Sequence, residues 1–579
     1  MNTQNKILEA KLNKFASVFR DDEFLSKDWH ECAADRRDVE FIFEHLNKLP
    51  DDLKKHVLNN ANKLTSRYER NTYIRTMTDK IVSFLPEKLR MSLTINDDEI
   101  RHIAIECADR CRRIALLHNV NGLEAPLTQS SKLTNSVNVT ETKNPLTEIS
   151  VTNANVIFPV LTQYVETFNI EAIRILQKGV TELGAVKRMC DKSWWTRKLR
   201  KIFNQAYEQA GIELNFVSKF RQIYATDLTV NKRLQQKARN EELLSSTIVL
   251  NDIGQQFTLK DLSDLNVSNP AIRKAELMVR MRGFEELSLS HNHKGIFITI
   301  TCPSKYHAVL SKSGKRNPKY QSFTPYQANQ YLCNVWSKVR AQWNREDIRP
   351  YGFRVAEPQH DGTPHWHILL FVEEQQIDRV KNVISHYSLQ EDGDEKGAIE
   401  NRCDFKLIDP KKGSATGYIA KYVSKNIDGK GLDKGVYGEC PITAAQRVDA
   451  WSSCWCIRQF QQIGGASVSV WRELRRIKQK LGVDSIIEKA RQAADESNWR
   501  GYIEAMGGVF IKQKEQPLKL AYDVSADTVT GDCKLGQYDG DIIQTIKGVL
   551  YKGQVIVTRF FSWRLERTNV VCSNLEFCK

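Results

Sequence analysis

Over the first hundred residues or so, apolar positions recur every three or four places. Phe41, Ile42, Leu46 and Leu49 form one set, and Ile100, Ile103, Ala104 and Cys107 another. That is the period of amphipathic helices, so residues 1–125 are expected to be mainly helical. From 126 to 155 Ser, Thr and Asn take over without periodicity, which predicts a polar linker. Helical spacing resumes from 158 to 240, and the region 156–285 is read as helical and basic. At Ile296 the period changes. Ile296-Phe-Ile-Thr-Ile-Thr301 is β-branched and bounded by Gly295 and Pro303, the pattern of a strand. Residues 325–345 read as a helix with Tyr331, Val335, Trp336 and Val339 on its apolar face. A strand over 351–357, a turn at Asp361-Gly362-Thr363-Pro364 and a strand over 365–372 then predict a hairpin. Beyond a basic helix expected over 471–480, alternating stretches such as 548–560 predict a small β-rich region over 481–579, in which no chemistry is found.

Composition narrows the class. A chain of 579 residues exceeds one hydrophobic core, so two or three domains are expected. No apolar run approaches a membrane span, and residues 1–19 lack the apolar block of a secretory signal. A soluble, cytoplasmic protein without a membrane partner is expected. The 13 cysteines follow no repeating framework, which in that compartment predicts thiols. Cys440, Cys454 and Cys456 with Cys403 form the one conceivable zinc set, and their irregular spacing argues against it.

The formal charge of +15 points to a polyanionic partner, most commonly nucleic acid. Residues 187–201 are dense in Lys and Arg around Trp194 and Trp195. Lys198 and Arg200 there would grip a DNA backbone while the tryptophans stack on a base. A basic helix that anchors its tryptophans in a core is the equal alternative.

His365-Trp-His367 lies inside the second hairpin strand, so both imidazoles project from one face. The short connection folds Glu357 back opposite His365, completing a two-His, one-carboxylate set with open positions. Such a set suits a divalent cation, Mg²⁺ or Mn²⁺, that would polarise a phosphodiester. His360, in the turn, competes with Glu357 for the third position.

In Tyr418-Ile-Ala-Lys-Tyr-Val-Ser-Lys-Asn426 the two tyrosines stand a turn apart on one helical face. Lys421 and Lys425 each follow a tyrosine by three residues, where an ammonium would stabilise a phenolate or bind a phosphate of DNA.

Taken together, Phe297-Ile-Thr-Ile-Thr-Cys-Pro-Ser304, Glu357-Pro-Gln-His-Asp-Gly-Thr-Pro-His-Trp-His367 and Tyr418-Ile-Ala-Lys-Tyr422 resemble the three ordered motifs of HUH endonucleases. The likeness is strongest to the phage replication gene A proteins, and it extends to Arg458-Gln-Phe-Gln-Gln-Ile-Gly-Gly465 and Val470-Trp-Arg-Glu-Leu-Arg475. The resemblance covers roughly 296–480 and implies an α+β fold. Its core would be a ferredoxin-like HUH endonuclease domain over 286–480 with an antiparallel central sheet, between the helical region and the β-rich one. It further implies that Tyr418 or Tyr422 attacks an origin phosphodiester, forms a 5′-phosphotyrosine and frees a 3′ hydroxyl that starts rolling-circle replication. The second tyrosine would release and rejoin the displaced strand. The family's lysine corresponds to Lys421 and its metal ligands to His365, His367 and Glu357.

Two rivals remain at this point: a relaxase or single-strand transposase of the same chemistry, and a DNA-binding regulator that has lost catalysis. The paired tyrosines favour replication, and the intact histidines and lysine favour an enzyme. Ser313-Gly-Lys-Arg316 fails the phosphate-loop pattern at its last residue, so unwinding is expected from a host helicase. Host single-strand-binding protein and polymerase are the other expected partners, besides single-stranded and origin DNA.

Overall fold

A computed structural model describes residues 36–120, 151–175, 179–482, 485–525 and 531–567. The chain divides into two compact units, Met1–Leu214 with Leu535–Asp541, and Asn215–Lys534 with Ile542–Lys579.

The first unit is mainly helical among the described residues, with helices that include Arg36–Leu46, Asp51–Ala61, Arg67–Val82, Asp97–Val120, Val151–Glu166 and Lys192–Glu213. Val151–Glu166 begins inside the stretch read as a polar linker; residues 121–150 lie outside the described residues. Asp191 caps Lys192–Glu213 by accepting from the Ser193 amide, which fixes where that helix starts. Trp195 is fully buried against Tyr164, Phe168 and Trp194, and its indole donates to the Met189 carbonyl at 2.7 Å. The stacking role given to the tryptophans is therefore corrected. Trp194 is buried as well, and with Lys198 over its ring at 5.3 Å neither indole offers a face to a base. Arg200 is taken up by Asp97 through a bidentate pair at 2.6 and 2.7 Å. The periodicity located this helix, and the apolar demand of its core decided which way the indoles point.

The second unit is built on a five-stranded sheet. In spatial order its strands are Cys403–Leu407, Lys294–Ile300, Pro364–Val372, Tyr351–Pro358 and Phe460–Ile463, each antiparallel to its neighbours. Helix Pro325–Arg345 starts where the sequence predicts, because Thr324 and Gln327 form a capping box and Pro325 occupies the first turn. It packs on the histidine strand, Pro364–Val372. Alternation divides the sheet. Phe297, Phe353, Val355, Leu369 and Phe371 enter a core shared with Ala415, Ile419 and Val423 of the helix Ala415–Ile427, whereas Arg354 and Trp366 belong to the opposite face.

Elements in three regions depart from the sequence-based expectations. Thr247–Asn251 and Gln256–Thr258 are strands within the region read as helical, and Trp563–Arg567 returns to pair with the first of them. The basic helix expected over 471–480 is the seven-residue Val468–Leu474, which stops once Trp471 has been buried against Trp499 and Tyr502. The β-rich region begins with helices Ile486–Asp495 and Trp499–Ala505. Their buried Ala490, Ala494, Trp499 and Tyr502 belong to the same core as the sheet. The alternating stretch near the end does form strands, Leu518–Val524, Gln544–Tyr551 and Gln554–Val557, in one antiparallel sheet. Among the described residues no helix is long and apolar enough to cross a membrane.

Candidate metal centre and tyrosine helix

The hairpin register places Glu357 directly across from His365, and Val355 across from His367. Side chains that alternate from facing strands then converge, and one donor atom from each of Glu357, His365 and His367 lies within 4.8 Å of the others. His367 Nε2 stands 3.8 Å from a Glu357 oxygen. His360 is buried too, but it lies outside this group and sits edge-on to Tyr437.

A third strand contributes as well. Thr299 pairs with His367 across the sheet, and its hydroxyl is 3.1 Å from His367 Nδ1, which fixes the ring and turns Nε2 toward the group. Burial, reinforced by the neighbouring His367 and Lys425 charges, holds His365 well below the ordinary imidazole value. Burial first, then Lys425 and Lys421, brings His367 down to about 3. Both rings are therefore neutral near pH 7, with nitrogen lone pairs free to bind. His365 Nδ1 is sealed from solvent without a hydrogen-bond partner. An orphaned donor, two neutral imidazoles and a buried carboxylate fit a divalent cation.

The helix Ala415–Ile427 is fixed at both ends. Ser414 accepts from the Gly417 amide at 2.9 Å, and Glu285 accepts from the Ala415 and Thr416 amides at 2.6 and 3.0 Å. At its other end the Gly429 amide returns to the Ser424 carbonyl at 2.8 Å. Gly429 has φ +67°, and a Cβ there would meet the Pro441 carbonyl oxygen at 2.3 Å, so the position admits no side chain.

With Ile419 and Val423 buried, Tyr422 turns toward the histidines and Tyr418 packs on Phe297. The Tyr422 ring lies 4.0 Å from the His367 ring. Phe297 touches both tyrosines, at 4.8 Å from Tyr418 and 5.3 Å from Tyr422. The Lys421 ammonium stands about equally over the two, at 5.0 and 4.9 Å from the ring centroids. Burial, followed by the charge of Glu357 and by Tyr418, pushes the Tyr422 hydroxyl up, so its ionisation requires added positive charge.

Lys425 does not face DNA, as the sequence reading had it. It is buried and paired to Glu357 at 3.0 Å, and its ammonium lies 5.0 Å from the centre of the Tyr224 ring. Asn426 donates to the other Glu357 oxygen and is held in turn by Gln459 at 3.3 Å. Sequence reasoning missed Thr299, Phe297, Asn426 and Gln459. The available signal for Thr299 was its place on the same alternating face, one strand away from the histidines.

Residues 129–430 match the family described as bacteriophage replication gene A protein (GPA). The match begins well upstream of Ile296, where the motif likeness starts, takes in all three motifs and ends before the Arg458–Gly465 segment. The chain is 40% identical over 394 residues to "Replication gene A protein" of Escherichia phage 186, covering 66% of this chain and 56% of that protein. It is 42% identical over 349 residues to "Probable replication protein P12" of Pseudoalteromonas phage PM2, with 58% and 54% covered. It is also 32% identical over 358 residues to "Probable replication endonuclease from prophage-like region" of Salmonella paratyphi A, with 59% and 45% covered. The chain thus spans about half the length of the curated relatives it matches. No solved structure matches it.

Proposed function

Because the chain belongs to the bacteriophage replication gene A protein family, we propose that it nicks one strand of DNA at a phage or prophage origin and initiates rolling-circle replication. The observation that carries this reading is the packing of Tyr422 on His367, 4.0 Å between rings, with Tyr418 one turn away and Lys421 over both. The five-stranded antiparallel sheet supports the ferredoxin-like core that the family resemblance implies, within a nuclease domain over 286–480.

In the proposed reaction the phenolic oxygen of Tyr418 or Tyr422 bonds to phosphorus as the bond to the 3′ oxygen breaks. The proton given up by the phenol is balanced by the one gained by the departing 3′ hydroxyl. The 5′ phosphate remains on the tyrosine, and the 3′ end is free to prime synthesis. Lys421 stabilises the phenolate and the scissile phosphate by its charge. Glu357, His365 and His367 would hold a divalent cation, Mg²⁺ or Mn²⁺, which when bound neutralises charge on the phosphate. After one round the second tyrosine cleaves the regenerated junction in the same way, and the 3′ hydroxyl so freed attacks the first phosphotyrosine, joining the displaced strand as the first phenol leaves with the proton. Host helicase, single-strand-binding protein and polymerase supply the remaining steps in the bacterial cytoplasm.

The test is to incubate the full chain with a labelled pool of random-sequence single-stranded oligonucleotides and Mn²⁺, and to look for a denaturation-resistant DNA–protein adduct. An adduct linked through tyrosine supports the reading, and its absence with both Mn²⁺ and Mg²⁺ sinks it.

Thr299 provides a further prediction. Thr299→Val removes the partner of His367 Nδ1, and Mn²⁺ affinity is expected to drop about 10- to 100-fold, the usual cost of losing a partner that orients a metal ligand. Calorimetric titration of the full chain with Mn²⁺ checks this, and an unchanged affinity refutes the orienting role.

A further inference from the structure

On the face of the sheet turned away from the tyrosines, Arg354 is 6% exposed and its guanidinium lies over the Trp366 ring at 3.7 Å. It makes no hydrogen bond or ion pair among the described residues, and its Nε is sealed without a partner. A buried cation without a counter-ion is costly. Two more cations are nevertheless brought beside it. Asn329, Cys333, Trp336 and Arg340 form one stripe of the helix Pro325–Arg345. Asn329 accepts from the Trp366 indole at 3.3 Å, and Trp336 sits edge-on to Trp366, so the stripe leads Arg340 toward Arg354. Just before the edge strand Phe460–Ile463, the Gln459 carbonyl accepts from the Ala356 amide at 2.7 Å, which sets Arg458, whose Nε donates to the Phe460 carbonyl at 3.2 Å, next to the same place. Neither Arg340 nor Arg458 has a carboxylate partner among the described residues, although acids elsewhere in the fold hold arginines such as Arg379 and Arg472.

We propose that Arg340, Arg354 and Arg458 form a second DNA contact, a phosphate site on the back of the sheet that binds one phosphodiester of single-stranded DNA away from the scissile bond. The anion would supply the counter-charge the fold omits. Burial, together with the Arg458 and Arg340 charges, already presses Arg354 down to about 10, a strain that a bound phosphate relieves. Trp366 holds the planar guanidinium in place, as suits bidentate phosphate recognition. The Gln459 side chain reaches Asn426 beside Glu357. The segment that carries Arg458 and Gln459 therefore touches Asn426, which bonds Glu357, and a phosphate held behind the sheet would steady the residues in front.

This inference rests on the reading of the chain as a DNA-binding protein, but its test is independent of nicking. Binding of a fluorescein-labelled single-stranded oligonucleotide to the full chain is followed by anisotropy over a range of KCl, with metal chelated. Arg354→Gln removes the buried member. Because that change can disturb folding, the exposed pair Arg340→Gln with Arg458→Gln carries the test. The expected result is a salt slope shallower by about 0.7 and a Kd about 4-fold weaker at 0.15 M salt, as when one phosphate of a single strand is no longer neutralised. An unchanged slope and Kd in the exposed-pair variant overturn the proposal. A second arm adds inorganic phosphate at constant ionic strength. If it raises the thermal midpoint of the unchanged protein but not that of the variant, while the DNA slope stays the same, the site takes a free anion and the DNA assignment is overturned.

Discussion

Changing both tyrosines at once, Tyr418→Phe with Tyr422→Phe, is expected to abolish the DNA adduct, a loss of about 10⁴-fold or more, as when an enzyme loses its nucleophile. The rings remain, so the contacts with Phe297 and His367 persist and the thermal midpoint should move little. Each single variant keeps one hydroxyl under Lys421, which stands at nearly the same distance from both rings. Each is therefore expected to form some adduct and to fail at the second transfer, leaving the strand unjoined. Gel analysis of labelled DNA after denaturation separates nicking from joining. An undiminished adduct in the double variant refutes both assignments, and a single variant that rejoins as well as the unchanged protein refutes the relay between them.

Lys425→Met is expected to cost stability as well as activity. The substitution leaves the Glu357 carboxylate, 1% exposed, with Asn426 but without its cation at 3.0 Å. Stranding one partner of a buried ion pair costs about 3–5 kcal/mol, which for a unit of this size lowers the midpoint by roughly 4–7 °C. The same argument makes the double change milder. Lys425→Met with Glu357→Gln strands no charge and should recover most of the loss, a coupling that a double-mutant cycle measures. Metal adds a third arm. A divalent cation at Glu357, His365 and His367 replaces part of the missing charge, so Mn²⁺ should raise the midpoint of Lys425→Met more than that of the unchanged chain. Equal midpoints for Lys425→Met and the parent would remove the pairing argument altogether.

Much of the site was legible because its geometry is local. A strand alternates, so His365 and His367 had to share a face. A tight turn sets register, so Glu357 had to fall opposite His365. A helix repeats every turn, so Tyr418 and Tyr422 had to be neighbours. The hairpin and the start of helix Pro325–Arg345 followed from equally local signals, whereas the five-stranded antiparallel sheet was expected only from the family resemblance. What failed was long-range or directional. Lys425 was read as facing DNA because its spacing from Tyr422 repeats that of Lys421 from Tyr418. The Tyr224 ring and the Glu357 charge that turn it inward come from distant parts of the chain. The tryptophans at 194 and 195 show the same limit, since a basic helix has one composition whether its aromatic residues face a core or a ligand. The strand Thr247–Asn251 has a β-branched start, but half of its pairing comes from Trp563–Arg567, about which nothing near residue 247 carries information.

That last pairing bears on how the protein is made. During synthesis Thr247–Asn251 leaves the ribosome roughly 15–60 s before Trp563–Arg567 at ordinary elongation rates. Throughout that interval one edge of Thr-Ile-Val-Leu-Asn lacks its final neighbour, and an unpaired edge invites association between nascent chains. The helices carrying Trp499 and Tyr502, which fill the core under Trp471, also arrive late. Emergence of Trp563–Arg567, rather than completion of the histidine and tyrosine motifs, is therefore the event that completes this sheet. A chain that stops after the tyrosine helix would lack these partners and is expected to aggregate.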